Sequence, residues 1–467
     1  MLALVLVIAA PDLVAWMHVP RAGDAIARLE ASSFKPLLPF LLAEADRQAL
    51  ARDGNSELFF AQDPAHAWLT LKSTSAAQLA GAWRATLRRH GLRRQGKRLD
   101  GAETFAGGGR VVTLTTAPDR VSLTTRLEPG HAPQVPPNGQ VVPAADLVGR
   151  VDVQALYGML AREPKGPMWA GLVRRLGLDE VRALETMALL TDTHTLTARL
   201  ELTRPAVGRG VAFALGPALE PVWPAEVPPS ALSFWRVSVR PARVVNLMEL
   251  VAAFLQPLEF TLVNSQLLAA EAQAGKALGE DALGNEPAVW TFYTLGRRGD
   301  TDEVAVLEVA DGLAAADIIT PVLGAIGDLL PQPHLERRTS KERVILEMAV
   351  GPGPVLADQR LVFAFEKRRM VVAASRSVVE AHLAHTGKAQ PLGGAPALAH
   401  GVHQDSRRLN WLAHAPLDGP WRRLKDAMLA RGIEPKALAA ALHDTRWALV
   451  QSGERWAIEV TSRAAPK

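Results

Sequence analysis

Along this chain, strand-like alternation of hydrophobic and polar positions gives way to helix-like three-and-four spacing, and the succession occurs twice in the same order. In the first stretch, Val19 to Arg204, residues 33–50 read as a helix with Leu37, Leu38, Phe40, Leu41 and Leu42 on a broad apolar side, broken by Asp53-Gly54-Asn55. Residues 67–72 (AWLTLK) read as a strand. A helix follows over 75–90, with Leu79, Ala82, Trp83 and Leu87 on one face and Gly91 ending it. Strands at 110–116 and 120–126 form an antiparallel hairpin, and a proline-rich loop covers 129–143. A strand at 147–153 then leads into helices at 154–162 and 168–176. The stretch closes on a hairpin of 188–190 and 195–203, where Leu196, Ala198, Leu200 and Leu202 all point one way.

The second stretch, Val227 to Arg463, repeats this order. It opens on Val227-Pro228 as the first opens on Val19-Pro20. A strand at 303–310 runs into a helix at 313–330, with Asp311 as N-cap and Pro321 starting or kinking it. Strands follow at 343–350, 360–366 and 370–375, then a strand at 408–414 and a helix at 421–430. A hairpin of 446–451 and 455–461, turned at Ser452-Gly453, closes the stretch. The pattern predicts an α+β protein of two related units made by internal duplication, each a mostly antiparallel sheet covered by helices. The units span 19–215 and 230–467, with a proline-rich linker at 216–229 and a helical insertion at 256–300 in the second.

Composition narrows this picture. Of 467 residues, 48% are hydrophobic and 21% charged, which is globular. With 11 Trp but only 2 Tyr in an aromatic-poor chain, the core rests on Ala, Leu and Val. The chain has no cysteine, which excludes disulfides, thiolate zinc, iron–sulfur clusters and a Cys nucleophile. Its 52 basic and 48 acidic residues leave a net charge of +4, too balanced to argue for nucleic acid as a partner. Residues 1–18 begin MLALVLVIAA, an apolar run of export-signal length without a basic start. No stretch is long and apolar enough to span a bilayer as a helix.

Two clusters carry candidate chemistry. Five of the 12 histidines lie between His382 and His414, with Asp405 among them. The pairs His382/His385 and His400/His403 share a spacing of three, which on a helix places both imidazoles on one side, as a metal requires. They are the candidate ligands of a metal-dependent hydrolase. The competing reading is an exposed helix end and a polar loop. The second cluster is basic, Arg84 to Arg98, and within it Arg88, Arg89, Arg93, Arg94, Lys97 and Arg98 are candidates for binding a polyanion or nucleic acid. Its competing reading, which we favour, is a solvated helix C-terminus followed by a polar loop. Gly107-Gly108-Gly109 lacks a following Lys-Ser or Lys-Thr and reads as a hairpin turn. Gly351-Pro352-Gly353-Pro354 lacks the amide donors of a phosphate cradle. Ser32-x-x-Lys35 stands without the companion motifs of a serine hydrolase. No cofactor is expected.

Four phrases, HVPRAGDAIARLEAS, EVAVLEVADGLAAADIITPVL, LVFAFEKRRMVVAASRSVVEAHL and LGLDEVRALETMALLTDTHTLTARLEL, give the chain a resemblance over most of its length to the bacterial family known as domain of unknown function 3352. The resemblance implies an exported, envelope-associated protein and carries over no site residues. The expectation is therefore a non-enzymatic envelope scaffold or binding protein, whose partner would be an envelope protein or polymer.

Overall fold

The computed structural model describes residues 15–37, 56–62, 66–89, 91–97, 102–125, 145–162, 166–204, 209–297, 300–327, 334–340, 342–349, 360–404, 429, 441 and 443–464. The helix expected over 33–50 beyond Leu37, the loop at 129–143, the Gly351–Pro354 turn and the strand and helix at 408–430 fall outside these residues, Leu429 apart.

The first ten strands are β1 (Ala15–Val19), β2 (Glu57–Gln62), β3 (Ala67–Lys72), β4 (Arg93–Lys97), β5 (Glu103–Gly107), β6 (Arg110–Ala117), β7 (Arg120–Thr124), β8 (Leu147–Asp152), β9 (Ala183–Asp192) and β10 (Thr195–Thr203). After β11 (Val222–Trp223) come β12 (Ala231–Val239), β13 (Ala288–Arg297), β14 (Asp300–Glu308), β15 (His334–Thr339), β16 (Arg343–Ala349), β17 (Arg360–Glu366), β18 (Arg369–Ala373), β19 (Gln390–Pro391), β20 (Ala399–His403), β21 (Asp444–Ser452) and β22 (Arg455–Arg463). β11 and β19 form a separate ribbon, and the other 20 strands form one antiparallel sheet. The expected pair of separate sheets is thus one continuous sheet.

The neighbour order of that sheet has two matching halves. The first half runs β4-β5-β6-β7-β3-β2-β1-β8-β9-β10. The second continues β22-β21-β20-β12-β13-β14-β18-β17-β16-β15, which is the same order read backwards. The halves join through their last strands. Thr195 pairs with Arg463 and Thr203 with Arg455, so the register is centred on Arg199 opposite Glu459, which form a 3.0 Å ion pair. The two ends of this seam match as well: Arg204 N donates to Glu454 O at 2.9 Å and Ala464 N to His194 O at 3.0 Å. One row across the seam is apolar (Leu202 opposite Trp456, Leu200 opposite Ile458, Ala198 opposite Val460), and cross-strand pairs of this kind each add about 0.2–1 kcal/mol.

Helices cover the sheet. α1 (Ala22–Ala31) and α2 (Ala76–Arg89) place Ile26, Leu79, Trp83 and Leu87 on Leu71, Phe105, Leu114 and Val121. Each such fully buried side chain contributes about 1.5–3 kcal/mol. α3 (Val153–Leu160), α4 (Gly166–Arg175) and α5 (Val211–Ala214) lead into the second half. There α6 (Pro241–Leu255) and α7 (Pro257–Ala274) precede α8 (Gly312–Gly327), whose Ala314, Ala315 and Ile318 pack on Val344, Leu346 and Phe365. α9 (Arg376–Ala384) adds Val378 and Val379 to a core with Phe234, Tyr293 and Val371.

Several expected boundaries move. Residues 15–18 of the export-like segment belong to β1, which pairs on both sides and buries Trp16. The 216–229 linker is packed down: Trp223 is buried and donates Nε1–H to Val227 O at 2.9 Å, and Glu226 accepts from Thr291 Oγ1 at 2.8 Å. The 256–300 insertion is helical only to Leu283, since 288–297 is β13 inside the sheet. Residues 93–97, expected as polar loop, form the edge strand β4.

Candidate functional site

Among the described residues, the exposed large apolar side chains concentrate on the hairpin of α6 and α7. Pro241 and Pro257 each sit in a first helical turn, where a missing N–H costs nothing, and Gly275 ends α7 at φ 64°. Between Glu249 and Glu271 the only charged residue is Glu259. On α7, Phe260, Leu267, Ala270 and Ala274 face inward, and Leu267, Ala270 and Ala274 pack on the α8 core. The opposite stripe carries Leu258, Leu262 and Leu268, which are 78%, 58% and 57% exposed. On α6, Met248 and Leu255 are 64% and 57% exposed. Among the described residues no side chain from Arg243 to Ala269 is fully buried, although Val245 and Leu267 pack part-buried on the α8 core.

Two hydroxyls of α7 are turned back on their own helix. Thr261 Oγ1 donates to Pro257 O and Ser265 Oγ to Leu262 O, both at 2.7 Å. Such back-bonding removes hydroxyl demand for water. Partial burial, reinforced by the nearby Glu271 carboxylate, pushes the Glu249 carboxyl up from its usual value. The apolar surface continues onto α4 from the first half. Trp169 packs on Phe254 with ring centroids 5.2 Å apart, next to exposed Met168. Exposed Phe213 of α5 carries the Arg243 guanidinium 4.8 Å above its ring. Contiguous exposed apolar surface of this kind marks an interaction site more often than chance.

The four candidate histidines do not assemble with one another as a metal site among the described residues. His382 lies on α9, buried, its Nδ1 2.8 Å from the Tyr293 hydroxyl, and its Nε2 has no hydrogen-bond partner among the described residues. Burial first, then the Arg369 charge, lowers its pKa to about 4. The same Tyr293 hydroxyl is held well above its ordinary pKa by burial and by Glu226. His385 lies just past the end of α9 in extended conformation. His400 and His403 sit on β20, where a spacing of three points them to opposite faces, so the helical pairing expected for them is corrected. His400 is buried edge-on against Phe234, with Nε2 3.2 Å from Val222 O. Burial lowers its pKa despite that bond. Among the described residues no three His, Asp or Glu side chains come together as a metal site, and Asp405 and His414 lie outside them.

The basic run is partly consumed internally. Glu103 is buried in the first half, where Arg84 Nη2 reaches it at 2.7 Å and Arg94 Nε at 3.2 Å. Arg88 and Arg93 are exposed; the side chains of Arg89 and Lys97, and residue Arg98, lie outside the described set. Arg93 and Arg94 lie on β4 at one edge of the sheet, as Arg337 and Arg338 lie on β15 at the other, and charged edge strands discourage edge-to-edge pairing. Glu103→Gln should cost about 2 kcal/mol in urea unfolding. That is below the ~3–5 kcal/mol of a fully buried pair, because both guanidiniums reach solvent. Ser32, the other sequence candidate, caps α1: its Oγ donates to Leu29 O at 2.8 Å and accepts from Phe34 N at 3.1 Å.

The fold and this surface define a cysteine-free, mixed α+β protein of one long sheet that holds an exposed apolar helical hairpin. No protein-family model matches the chain, and no curated protein matches it. Solved structures similar to it include crystal form IV of TP0453, 12% identical with a TM-score of 0.27 over 41% of this chain and 77% of that one. Crystal form III of TP0453 is also 12% identical, with a TM-score of 0.26 over 42% and 78%. Likeness at this level assigns neither fold nor function. Among the described residues no helix is long and apolar enough to cross a membrane.

Proposed function

We propose that this chain is a non-enzymatic scaffold of the cell envelope, built by duplication of one α+β unit, whose binding surface is the α6–α7 hairpin. The observation that carries the reading is the outward apolar stripe of α7, Leu258, Leu262 and Leu268, on a helix whose inward face is already satisfied by α8. A helix that is apolar on both sides, with one side already covered, holds the other for something besides its own core. Duplication is supported by the matching strand order and by a seam register centred on Arg199 and Glu459. The resemblance to the domain of unknown function 3352 family adds an envelope address.

Cell fractionation tests this. The full-length chain, expressed with a C-terminal tag, is expected in the envelope fraction, and Leu258→Glu with Leu262→Glu should shift it to the soluble fraction. Identical distributions of the two proteins, or a purely cytosolic wild type, would sink the reading.

A further inference from the structure

Residues 216–229 lead from α5 to β12 and lie over the face of β20, β12 and β13 that carries Val402, Phe234 and Tyr293. We propose that this segment is an acid-released strap, seated at neutral pH over two buried histidines, His400 and His382, and lifted when they take up protons.

The strap is lightly attached. It holds five prolines, Pro217, Pro221, Pro224, Pro228 and Pro229, and so has few amides with which to join the sheet. Leu219 and Ala397 exchange N–H···O bonds at 2.7 and 2.9 Å, and Leu392 N donates to Pro221 O at 2.9 Å. Beyond these and the short β11–β19 ribbon, side chains hold it. Trp223 lies edge-on to Phe234 with ring centroids 4.8 Å apart, Val227 is buried, and Glu226 accepts from the Thr291 hydroxyl. A cover with so few backbone bonds opens at lower cost than the sheet beneath it.

Both histidines meet the strap. His400 of β20 has Nε2 3.2 Å from Val222 O, so the neutral ring donates to the strap and keeps Nδ1 buried, without a partner among the described residues. Arg236 stands directly opposite on β12. On β21 the facing residue is Ala448, and Arg446, ion-paired with Asp444, is next on the same face. The strap itself brings Glu220 and Glu226. His382 of α9 meets the Tyr293 hydroxyl of β13, and around it are Glu226 of the strap, Arg369 of β18, Glu366 of β17 and His385. A proton added to either ring therefore makes a buried N–H with no acceptor, close to an arginine. Lifting the strap lets water reach that N–H and returns the ring toward its ordinary value of 6.5. Closed, His382 refuses a proton down to about pH 4; open, it accepts one near 6.5. Opening is therefore favoured as the pH falls through 6.5, and the His382 share of the effect is complete by about 4. Release bares Phe234 and the Tyr293 hydroxyl, which the neutral protein keeps covered.

Hydrogen exchange read by mass spectrometry on the full chain tests this. Peptides covering 216–229 and 388–398 are compared with those of the β10–β22 seam at about pH 7.5 and about pH 4.5, corrected for intrinsic exchange. The strap should be less protected than the seam at both, and its protection should fall roughly ten-fold or more on acidification. His382→Asn/His400→Gln keeps a partner for the Tyr293 hydroxyl and a donor for Val222 O but cannot titrate, and it should lose most of that response. Each single substitution should lose part of it, so the result does not hang on the double variant folding. Equal protection of strap and seam would mean that only global unfolding exposes the segment, and would overturn the strap. Strap protection that ignores pH, or that responds equally in wild type and in the substituted proteins, would overturn it as well.

Discussion

Lowering the pH from 6.5 to 4 should remove about 3 kcal/mol of stability through one side chain, His382. The ring is buried and meets one polar partner, the Tyr293 hydroxyl at 2.8 Å, while Nε2 is unpartnered among the described residues. A neutral imidazole tolerates this; an imidazolium would carry a buried N–H without an acceptor. Burial and the Arg369 charge therefore outweigh the favourable carboxylates of Glu226 and Glu366, with His385 adding to the lowering. The sign follows. Above pH 6.5 the ring is neutral in both states and stability is complete. Between 6.5 and about 4 the unfolded chain binds a proton that the folded chain refuses, so stability falls, and below about 4 the loss is complete. His382→Asn keeps a polar partner for Tyr293 and does not titrate. Its urea midpoint should therefore drop less than wild type over this window, by an amount equivalent to about 3 kcal/mol. Parallel pH profiles for the two proteins would remove His382 from the account. His18 and His400 are lowered by burial as well, so some acid sensitivity remains in the variant.

The same physics explains what could be read from the residues and what could not. The closing hairpins are legible because their strands keep strict alternation, Leu196, Ala198, Leu200 and Leu202 against Thr197, Arg199 and Glu201. The helices at 76–89 and 312–327 are legible because one side of each meets the sheet. Central strands lose that signal: Ala231 to Phe234 of β12 are buried in succession, so no alternation survives. β4 is hidden for the opposite reason, since RRQGK is an edge strand made of charge. His400 and His403 share their spacing with His382 and His385, and only the pairing of β20 between β12 and β21 shows that here it separates the rings. The hairpin was the hardest to see. The residues show a helical insertion from 256, but whether the apolar positions of LVAAFLQPLEFTLVNSQLLAA are core depends on what is left to cover them. Glu103 teaches a similar lesson: the basic run looks like a ligand site until a carboxylate from a neighbouring strand is folded beneath it.

Gly312→Ala should be among the most damaging single-methyl additions in the second half, costing about 3 kcal/mol or more, while Gly324→Ala in the same helix should stabilise by up to about 1 kcal/mol. Gly312 opens α8 where the helix meets the β17–β18 turn, and its N–H donates to Lys367 O at 3.0 Å. A Cβ there would overlap the Glu366 carbonyl oxygen and crowd that of Arg369 at 3.1 Å. Neither can yield cheaply, because both are backbone and the turn is clamped from its side chains. Arg343 Nε reaches Glu366 at 3.1 Å and Arg369 Nε at 2.9 Å, and although burial alone would raise the Glu366 carboxyl, these two arginines hold it below its usual value. Around Gly324 a Cβ meets nothing within 4 Å, so only the helix-propensity gain remains. The pair also probes function. α7 rests on α8 through Leu267, Ala270 and Ala274, and Lys276 ties the end of α7 to Asp311 at 2.9 Å. A displaced α8 start should therefore carry the hairpin with it. In thermal unfolding Gly312→Ala should melt well below wild type and Gly324→Ala slightly above. At temperatures where both remain folded, only Gly312→Ala should alter the fluorescence of a label at position 262. Equal melting of the two variants would show that backbone clearance at the start of α8 does not set the position of this layer.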